Sequence, residues 1–209
     1  GMTETSPIGT INTPLGKHQA LTEAQRQRVA EGQGRAIFGI DLRVVDVDGE
    51  PLPDDGESRG YLQVRGHWVV ASYFGRSETA LTDDGWFDTG DIGTVDANGY
   101  LTIQDRAKDI IKSGGEWIST VELENIALAH PAIRSAAAIA AQHPRWDERP
   151  VLLCVRAEGG EIEEPELLAW YQARVPKWQL PDRILFIDAL PVSATGKVLK
   201  NRLRAEFGQ

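Results

Sequence analysis

The stretch from Asp105 to Ser119 constrains this chain most. Four of its first five residues are charged, which predicts a surface segment and not a core strand. Two apolar pairs, Ile110-Ile111 and Trp117-Ile118, then flank a Lys-Ser-Gly-Gly turn and predict a β-hairpin. Ser119 lies three residues before Glu122, which is the pattern of a helix-capping box. A charged, hinge-like segment therefore leads into a glycine-tipped hairpin, although the pattern also fits an ordinary surface hairpin.

Composition and charge exclude several classes of protein. The 209 residues allow one or two domains, with 22 basic and 31 acidic residues and a net charge of −9. This balance argues against sequence-independent nucleic-acid binding, which needs a basic surface. The N-terminus lacks a signal-peptide pattern, and the most apolar run, Ala136–Ala141, is too short to be a transmembrane segment. The single cysteine, Cys154, lies in an apolar run and is predicted to be a core residue in a reducing, cytoplasmic environment.

The first half of the chain predicts short strands joined by glycine turns. A weakly periodic helix is expected over Leu21–Glu31, with Thr22 as its cap. Alternating apolar residues and turn signals indicate a small antiparallel sheet or distorted barrel. The predicted strands are Ile40–Val44, Tyr61–Arg65 and Trp68–Val70, followed by a hairpin over Val95–Ile103 that turns at Asn98-Gly99.

The second half predicts a compact α+β domain with three strands and three helices. A strand is expected over Ile133–Ala141, and clear apolar runs predict strands over Val151–Val155 and Arg183–Ile187. The helices are expected over Thr120–Ala129, from Pro165 with Leu167, Tyr171 and Val175 on one face, and over Val198–Phe207. The four histidines, His18, His67, His130 and His143, show no metal-ligand spacing, and His143-Pro144 predicts a turn.

Four motifs in order resemble those of the adenylate-forming superfamily of acyl-CoA synthetases, luciferases and peptide synthetases. They are Gly1–Pro7, Gly85–Asp91, the Asp105–Ser119 stretch and Pro191–Lys197. The Gly-Gly-Glu-Trp-Ile-Ser segment resembles the medium- and long-chain fatty acyl-CoA ligases in particular. The resemblance covers essentially the whole chain. It implies that residues 1–104 are the β-rich end of a large N-terminal domain and that residues 105–209 are the C-terminal domain, joined to it by a hinge.

The resemblance also implies a two-step reaction that uses ATP, Mg²⁺ and coenzyme A. A carboxylate attacks the α-phosphate of ATP to give an acyl-adenylate, and the thiol of coenzyme A then displaces AMP. Lys197 matches the family's catalytic lysine, whose compact charge suits the crowded negative charge of the first step. Taken alone, Lys197 would be a solvated lysine in a turn, and its surroundings lack the spacing of a P-loop.

The nucleotide-binding residues implied by the resemblance come from several motifs. Asp91 matches the aspartate that holds the ribose hydroxyls, and Arg106 the arginine on the same ribose. The alternatives are a turn aspartate and a surface arginine. Asp88 departs from the family pattern, which more often has a basic residue there. The full set of implied nucleotide-binding residues is Thr3, Asp91, Ile103, Arg106 and Trp117, and a packing role beneath the hairpin is the alternative for Trp117.

Three further roles follow from the resemblance. Lys108 matches the hinge about which the C-terminal domain rotates between the two steps. Gly114 and Gly115 would form the loop that faces coenzyme A. Glu4 matches a Mg²⁺ ligand, and one carboxylate suffices when phosphates complete the shell. The alternative for Glu4 is disordered surface, with little to hold it in place.

The resemblance therefore implies the C-terminal portion of an ATP-dependent acyl-CoA ligase for medium or long fatty acids. Two alternatives stay open: a ligase for a short thioether or branched acid, and a truncated, non-catalytic protein that binds a nucleotide or a partner. The expected partners are small molecules, with a homodimer possible and nucleic acid excluded. The chain alone is expected to make no acyl-adenylate.

Overall fold

The computed structural model describes residues 1–208, which divide into two compact units, residues 1–107 and residues from 108 onward. Together they give the α+β class expected from the sequence, with mainly antiparallel sheets and short helices. Within the described residues, every helix is too short or too polar to span a lipid bilayer.

The first unit is built on a four-stranded antiparallel meander, in which β3, β4, β5 and β6 pair in chain order. Its core consists of Val44, Leu62, Val95 and Leu101, one from each strand. A two-stranded ribbon and one exposed helix precede the meander. The elements are β1 (Thr10–Ile11), α1 (Glu23–Glu31), β2 (Arg35–Ala36), β3 (Ile40–Val45), β4 (Gly60–Gly66), β5 (Phe87–Val95) and β6 (Leu101–Arg106), with 3-10 turns at Thr3–Thr5 and Gly16–Ala20.

Local sequence signals explain two features of this unit. The β5–β6 turn lies at Asn98-Gly99 as predicted, because the Asp96 carboxylate accepts hydrogen bonds from the backbone N–H groups of Asn98 and Tyr100. Thr22 caps α1 as predicted, with a reciprocal bond from the Thr22 N–H to the Gln25 side chain.

Two predictions for the first unit are wrong. Trp68–Val70 is not a strand, because β4 ends at Gly66 and the chain turns back so that the Val70 N–H donates to the Glu4 carbonyl. Asp105 is not surface: it lies in β6, pairs with Ile92 and is only 4% exposed. Its carboxylate accepts the N–H of Arg106 at 2.8 Å, so a local hydrogen bond stabilises a buried charge that composition alone argued against.

The second unit is a five-stranded sheet with helices on both faces. The long strands β9 and β10 pair antiparallel over ten positions, and β11 adds to β10 in parallel. The elements are β7 (Ile111–Ser113), β8 (Glu116–Ile118), α2 (Thr120–Leu128), β9 (Ile133–His143), β10 (Asp147–Arg156), α3 (Glu164–Gln172), β11 (Arg183–Phe186) and α4 (Lys200–Phe207), with a 3-10 turn at Lys177–Gln179.

Burial on both faces of the sheet explains the apolar runs of β9 and β10. Alternate residues of each strand point to opposite faces. Leu152 and Cys154 pack in one core with Leu123, Leu167 and Tyr171 from α2 and α3. Val151 and Leu153 pack in the other with Leu203 from α4. Four of the five alanines of β9 are buried, and Ala140 is partly buried.

The β7–β8 hairpin and the Ser119 cap are confirmed, the cap by a hydrogen bond from the Glu122 N–H to the Ser119 hydroxyl. The turn at His143-Pro144 is confirmed as well. Pro165 lies in the first turn of α3, but that helix ends at Gln172. Val175 is therefore outside the helix, although it is buried in the same core.

Cys154 should be chemically inert in the folded chain. It is fully buried, and burial raises the pKa of its thiol to about 12. Because the thiolate is the reactive form, iodoacetamide at pH 8 should leave the native chain unmodified and alkylate the urea-unfolded chain completely. Intact-mass spectrometry measures this directly, since Cys154 is the only cysteine. Rapid alkylation of the native chain would contradict the burial of β10.

Candidate functional site

Asp91 and Arg106 form an ion pair on the first unit. They are directly opposed in the register of β5 and β6, and the Arg106 Nη1 lies 3.0 Å from the Asp91 Oδ1. The Asp91 side chain is 13% exposed and the Arg106 side chain 52%. Thr89 supports both, because its hydroxyl accepts the Asp91 N–H and its carbonyl accepts from Arg106. The pair therefore presents a mostly buried carboxylate beside a half-exposed cation.

The Asp91 carboxyl is electrostatically unusual. Burial raises its pKa above the ordinary aspartate value, against the lowering effects of the Arg106 guanidinium and the Thr89 hydroxyl. A partly desolvated carboxylate has oxygens that solvent does not saturate, so it can accept two hydrogen bonds from a vicinal diol.

The motif that carries Asp91 is fixed by an aromatic clamp. Trp86 is 8% exposed, and the guanidinium groups of Arg43 and Arg65 each lie over its ring, at 4.3 and 4.4 Å from the centroid. Arg43 also donates to Gln63 and pairs with Asp84. This stacking ties the start of β5 to β3 and β4 and so orients the strand that carries Asp91.

Ile103, Thr3 and Glu4 lie on the same unit. Ile103 is 38% exposed on β6 and pairs with Gly93. Thr3 is exposed in the first 3-10 turn. The expectation that little holds Glu4 is wrong, because its carbonyl accepts the Val70 N–H at 2.9 Å and its carboxylate accepts the Tyr73 hydroxyl at 3.1 Å. Glu4 thus offers one placed carboxylate, and the described residues contain no cluster of three metal-ligating side chains.

The segment around Lys108 is anchored on either side but not at Lys108 itself. The Ala107 N–H donates to the Gly90 carbonyl at 2.9 Å, within the first unit. The Asp109 carboxylate pairs with Arg204 at 2.8 Å, within the second unit. Among residues 1–208, neither Lys108 nor Asp109 makes a backbone–backbone hydrogen bond. The boundary between the two compact units also lies between Ala107 and Lys108.

Gly114 and Gly115 form the tip of the β7–β8 hairpin. Both have positive φ, 61° and 91°, which disfavours residues with a Cβ. Gly114 is further restricted: its N–H donates to the Trp146 carbonyl at 2.8 Å, and a Cβ there would lie 2.8 Å from the Trp146 ring. Trp117 is half-buried on β8 opposite Lys112. The glycine tip is therefore packed against a tryptophan.

A cavity of about 490 Å³ lies beside the glycine tip. Its aromatic walls are Trp146 and Trp178, 41% and 42% exposed. Lys177 adds a cation and Glu116 an exposed carboxylate, whereas Arg149 is paired with Asp182 and donates to the carbonyls of Trp178 and Leu180. No motif in the sequence marks this cavity. Its only sequence signals are two tryptophans next to basic residues in polar loops, at Arg145-Trp146 and Lys177-Trp178.

Lys197 lies in a tight turn before α4. The turn is closed by the Ser193 N–H to the Lys197 carbonyl at 2.8 Å and by the Lys197 N–H to the Ser193 hydroxyl at 3.2 Å. The Lys197 side chain is exposed, and within the described residues it makes no ion pair or hydrogen bond. The turn is held by hydrogen bonds between the Lys197 backbone and Ser193, and the Lys197 ammonium can bind an anion without first breaking an existing ion pair.

The predicted residues thus fall into three groups, apart from Thr3 and Glu4 in the first 3-10 turn and Lys108 at the boundary between the units. Asp91 and Arg106 are in direct contact, with Ile103 on the same strand as Arg106. Gly114 and Gly115 form one hairpin with Trp117. Lys197 lies in its own turn.

The sequence of this chain matches two family models. Residues 1–74 match the family model for the AMP-binding enzyme, and residues 122–197 match the model for the AMP-binding enzyme C-terminal domain. The chain belongs to the AMP-binding enzyme family. The two matches flank the ion pair and the glycine hairpin, in the order that the sequence motifs predicted.

Several curated relatives are acyl-CoA ligases. The 3-methylmercaptopropionyl-CoA ligase of Ruegeria pomeroyi is 56% identical over 207 residues, covering 99% of this chain and 38% of that protein. The medium-chain-fatty-acid–CoA ligase of Ectopseudomonas oleovorans is 51% identical over 208 residues, covering 100% of this chain and 38% of that protein. This member of the family therefore spans about two fifths of the length of the curated relatives it matches.

Solved structures of the family share its fold. ATP-bound MatB from Rhodopseudomonas palustris superposes with a TM-score of 0.84 at 32% identity, over all of this chain and 40% of that one. The o-succinylbenzoate CoA synthetase of Bacillus subtilis, in complex with its acyl-adenylate intermediate, gives 0.82 at 30% identity, over 98% of this chain and 40% of that one.

Asp91→Asn should weaken AMP binding by roughly ten- to a hundredfold, which is the contribution of a hydrogen bond to a charged group. The folded chain should lose no stability at neutral pH. The pKa of Asp91 is raised on folding, so its ionisation at neutral pH opposes folding, and asparagine removes that cost.

Calorimetric titration with AMP and thermal unfolding measure the two effects of Asp91→Asn. Asp83→Asn, in the exposed turn before β5, is the matched control and should change neither. Unchanged AMP affinity in Asp91→Asn would contradict a nucleotide role for the ion pair.

Proposed function

We propose that this chain is the C-terminal part of an ATP-dependent acyl-CoA ligase. The full-length protein joins a carboxylic acid to coenzyme A and releases AMP and pyrophosphate. The observation that carries the proposal is the free ammonium of Lys197 on a locked turn, in a chain that also presents the Asp91–Arg106 pair. In this assignment residues 1–107 end the nucleotide-binding domain and residues from 108 onward form the C-terminal domain, so the boundary lies three residues after the position 104 expected from the resemblance.

In the first half-reaction, a carboxylate oxygen bonds to the α-phosphorus of ATP and the bond to pyrophosphate breaks. Negative charge accumulates between the two anions as they approach. Lys197 would place its ammonium there and neutralise that charge. The Ser193 bonds hold the backbone of Lys197, so little reorganisation is needed at the moment of reaction.

The nucleotide would be held by the first unit. Asp91 would accept hydrogen bonds from the ribose hydroxyls, while the half-exposed Arg106 shifts to donate to the same sugar. Ile103 supplies an exposed apolar surface, and Thr3 a hydroxyl for the α-phosphate. Glu4 would contribute one carboxylate to Mg²⁺, which neutralises phosphate charge and takes few protein ligands when phosphates are present.

In the second half-reaction, the thiol sulfur of coenzyme A bonds to the acyl carbon, and AMP leaves with the oxygen it acquired in the first. Gly114 and Gly115 would let the thiol arm pass close to the backbone, with Trp117 on the adjacent strand. The cavity beside them suits the nucleotide end of coenzyme A, because Trp146 and Trp178 can stack on adenine and Lys177 can pair with phosphate.

Alternation between the two half-reactions would use Lys108 as the hinge. Ala107 is bonded within the first unit and Asp109 within the second, so rotation at Lys108 breaks no backbone hydrogen bond made by Lys108 or Asp109. Such rotations are a known means of presenting different residues to one site in successive steps.

For the acid, we propose a medium-length aliphatic chain, as in the ligase of Ectopseudomonas oleovorans. The second candidate is a short thioether acid, favoured by the 56% identity to the 3-methylmercaptopropionyl-CoA ligase. The enzyme would be cytoplasmic, where ATP and coenzyme A are both available.

A substrate panel tests the proposal. The full-length protein is incubated with ATP, coenzyme A and acids of increasing length, including 3-methylmercaptopropionate, and thioesters are quantified by mass spectrometry. Octanoyl thioester is expected in excess, and a preference for the thioether acid would select the second candidate. This chain alone should form no acyl-adenylate in ATP–pyrophosphate exchange. Absence of any thioester from the full-length protein would overturn the ligase assignment.

A further inference from the structure

The ion pair between Asp109 and Arg204 lies next to the hinge but belongs to no motif in the sequence. The Asp109 side chain is 12% exposed and the Arg204 side chain 29%, so water screens the pair less than a surface ion pair. Arg204 projects from α4, 95 positions along the chain from Asp109. Lys108 and Asp109 make no backbone–backbone hydrogen bond, so the ion pair between Asp109 and Arg204 anchors this end of the hinge.

The helix that carries Arg204 is itself firmly held. At its start, Lys200 pairs with Glu124 of α2 at 2.7 Å and donates to the Thr120 hydroxyl at 2.6 Å. Leu203 is 1% exposed in the core beneath the sheet. After its last residue, the Gly208 carbonyl accepts the Gln142 N–H from β9 at 3.2 Å. Arg204 is thus mounted on a fixed part of the second unit and can hold Asp109 still.

We propose that Arg204 is a positioning residue that confines the hinge to Lys108. On one side, the bond from Ala107 to Gly90 fixes the end of the first unit. On the other, Arg204 holds Asp109, which has no backbone bond of its own to the rest of its unit. Without this ion pair the backbone could rotate at both Lys108 and Asp109. The C-terminal domain would then be held less precisely in each of its two catalytic orientations. The same helix follows the Lys197 turn, so it links the hinge to the catalytic lysine. This inference rests on the proposed function for its kinetic consequence only.

The test uses the full-length protein with Arg204→Gln, Asp109→Asn and the double variant. Each single variant should slow adenylation and thioester formation from supplied acyl-adenylate, both by about tenfold, since each step needs a defined orientation. The double variant should be no slower than either single one, because both remove the same interaction. Arg204→Lys should restore most of the rate. Arg202→Gln, on the exposed side of the same helix, is the matched control and should leave both rates unchanged.

Hydrogen exchange gives a second measurement that does not depend on activity. The amides of residues 108–110 should exchange faster in Arg204→Gln and Asp109→Asn than in Arg202→Gln, with the core amides of β9 and β10 unchanged. Rates and exchange equal to those of Arg202→Gln would overturn the inference, as would single effects that add in the double variant. Loss of core protection in both single variants would also overturn it, since the pair would then be holding the fold. A wild-type protein without ligase activity would contradict the proposed function, while exchange would still decide whether Arg204 anchors the hinge.

Discussion

Lys197→Ala in the full-length protein should slow acyl-adenylate formation by roughly a hundredfold or more, the scale of losing one preorganised electrostatic group. It should leave thioester formation from supplied acyl-adenylate within about threefold, since the charge it neutralises is no longer present in that step. The fold should be unaffected, because the side chain is exposed and the turn is held by Ser193 and not by the ammonium.

The two rates for Lys197→Ala are measured separately, by pyrophosphate release and by coenzyme A consumption with synthetic acyl-adenylate. Arg202→Ala removes another exposed cation, from the helix that follows, and should change neither rate. Equal loss of both half-reactions in Lys197→Ala would show that this lysine supports the fold or both orientations. The proposal that it acts in adenylation alone would then be wrong.

Gly114→Ala should have the opposite selectivity. Its backbone has a φ of 61°, and the new methyl would lie 2.8 Å from the Trp146 ring, so the hairpin tip and the cavity wall must both shift. Thioester formation should fall by roughly a hundredfold, the cost of misplacing reactive groups by about an ångström. Adenylation should stay within about threefold, because Lys197 and the nucleotide pair are untouched.

Gly159→Ala is the matched control for Gly114→Ala. It has a similar positive φ of 70°, but open space surrounds its Cβ position. It therefore reports the cost of backbone strain alone and should leave both half-reactions unchanged. If Gly114→Ala behaves like Gly159→Ala, the packing of the glycine tip on Trp146 has no functional role.

Local sequence signals were sufficient where the structure depends on neighbouring residues. The Gly-Gly tip with its apolar flanks predicted the β7–β8 hairpin, and Ser119 and Thr22 predicted two helix starts. The long strand β9 was predicted despite its alanines, because its apolar run is continuous. These features follow from periodicity, turn residues and caps, which a single sequence displays.

The errors arose where distant residues decide the outcome. Trp68–Val70 has the composition of a strand, but the Glu4 carbonyl takes the hydrogen bond that a sheet partner would have made. Asp105 is too polar for a core strand on composition, yet the pairing of β6 with β5 buries it opposite Ile92. The hydrophobic periodicity of a single segment does not show which distant residues it will pair with.

The site was only partly visible in the sequence for the same reason. Motif resemblance assigned Asp91 and Arg106 to the same ribose, but their ion pair depends on the register of β5 and β6. The cavity of Trp146 and Trp178 joins segments about thirty positions apart through Arg149. The Arg204–Asp109 pair spans 95 positions and lies in no motif.

Following a labelled oxygen atom tests the central claim most directly. The full-length protein is supplied with ATP, coenzyme A and octanoate carrying ¹⁸O in its carboxylate, and the products are analysed by mass spectrometry. Attack of the carboxylate on the α-phosphate leaves one carboxylate oxygen on the nucleotide after the thiol displaces it. We predict AMP and thioester in equal amounts, with one ¹⁸O in each AMP. Label in inorganic phosphate, together with ADP, would show activation through an acyl phosphate and would contradict the account.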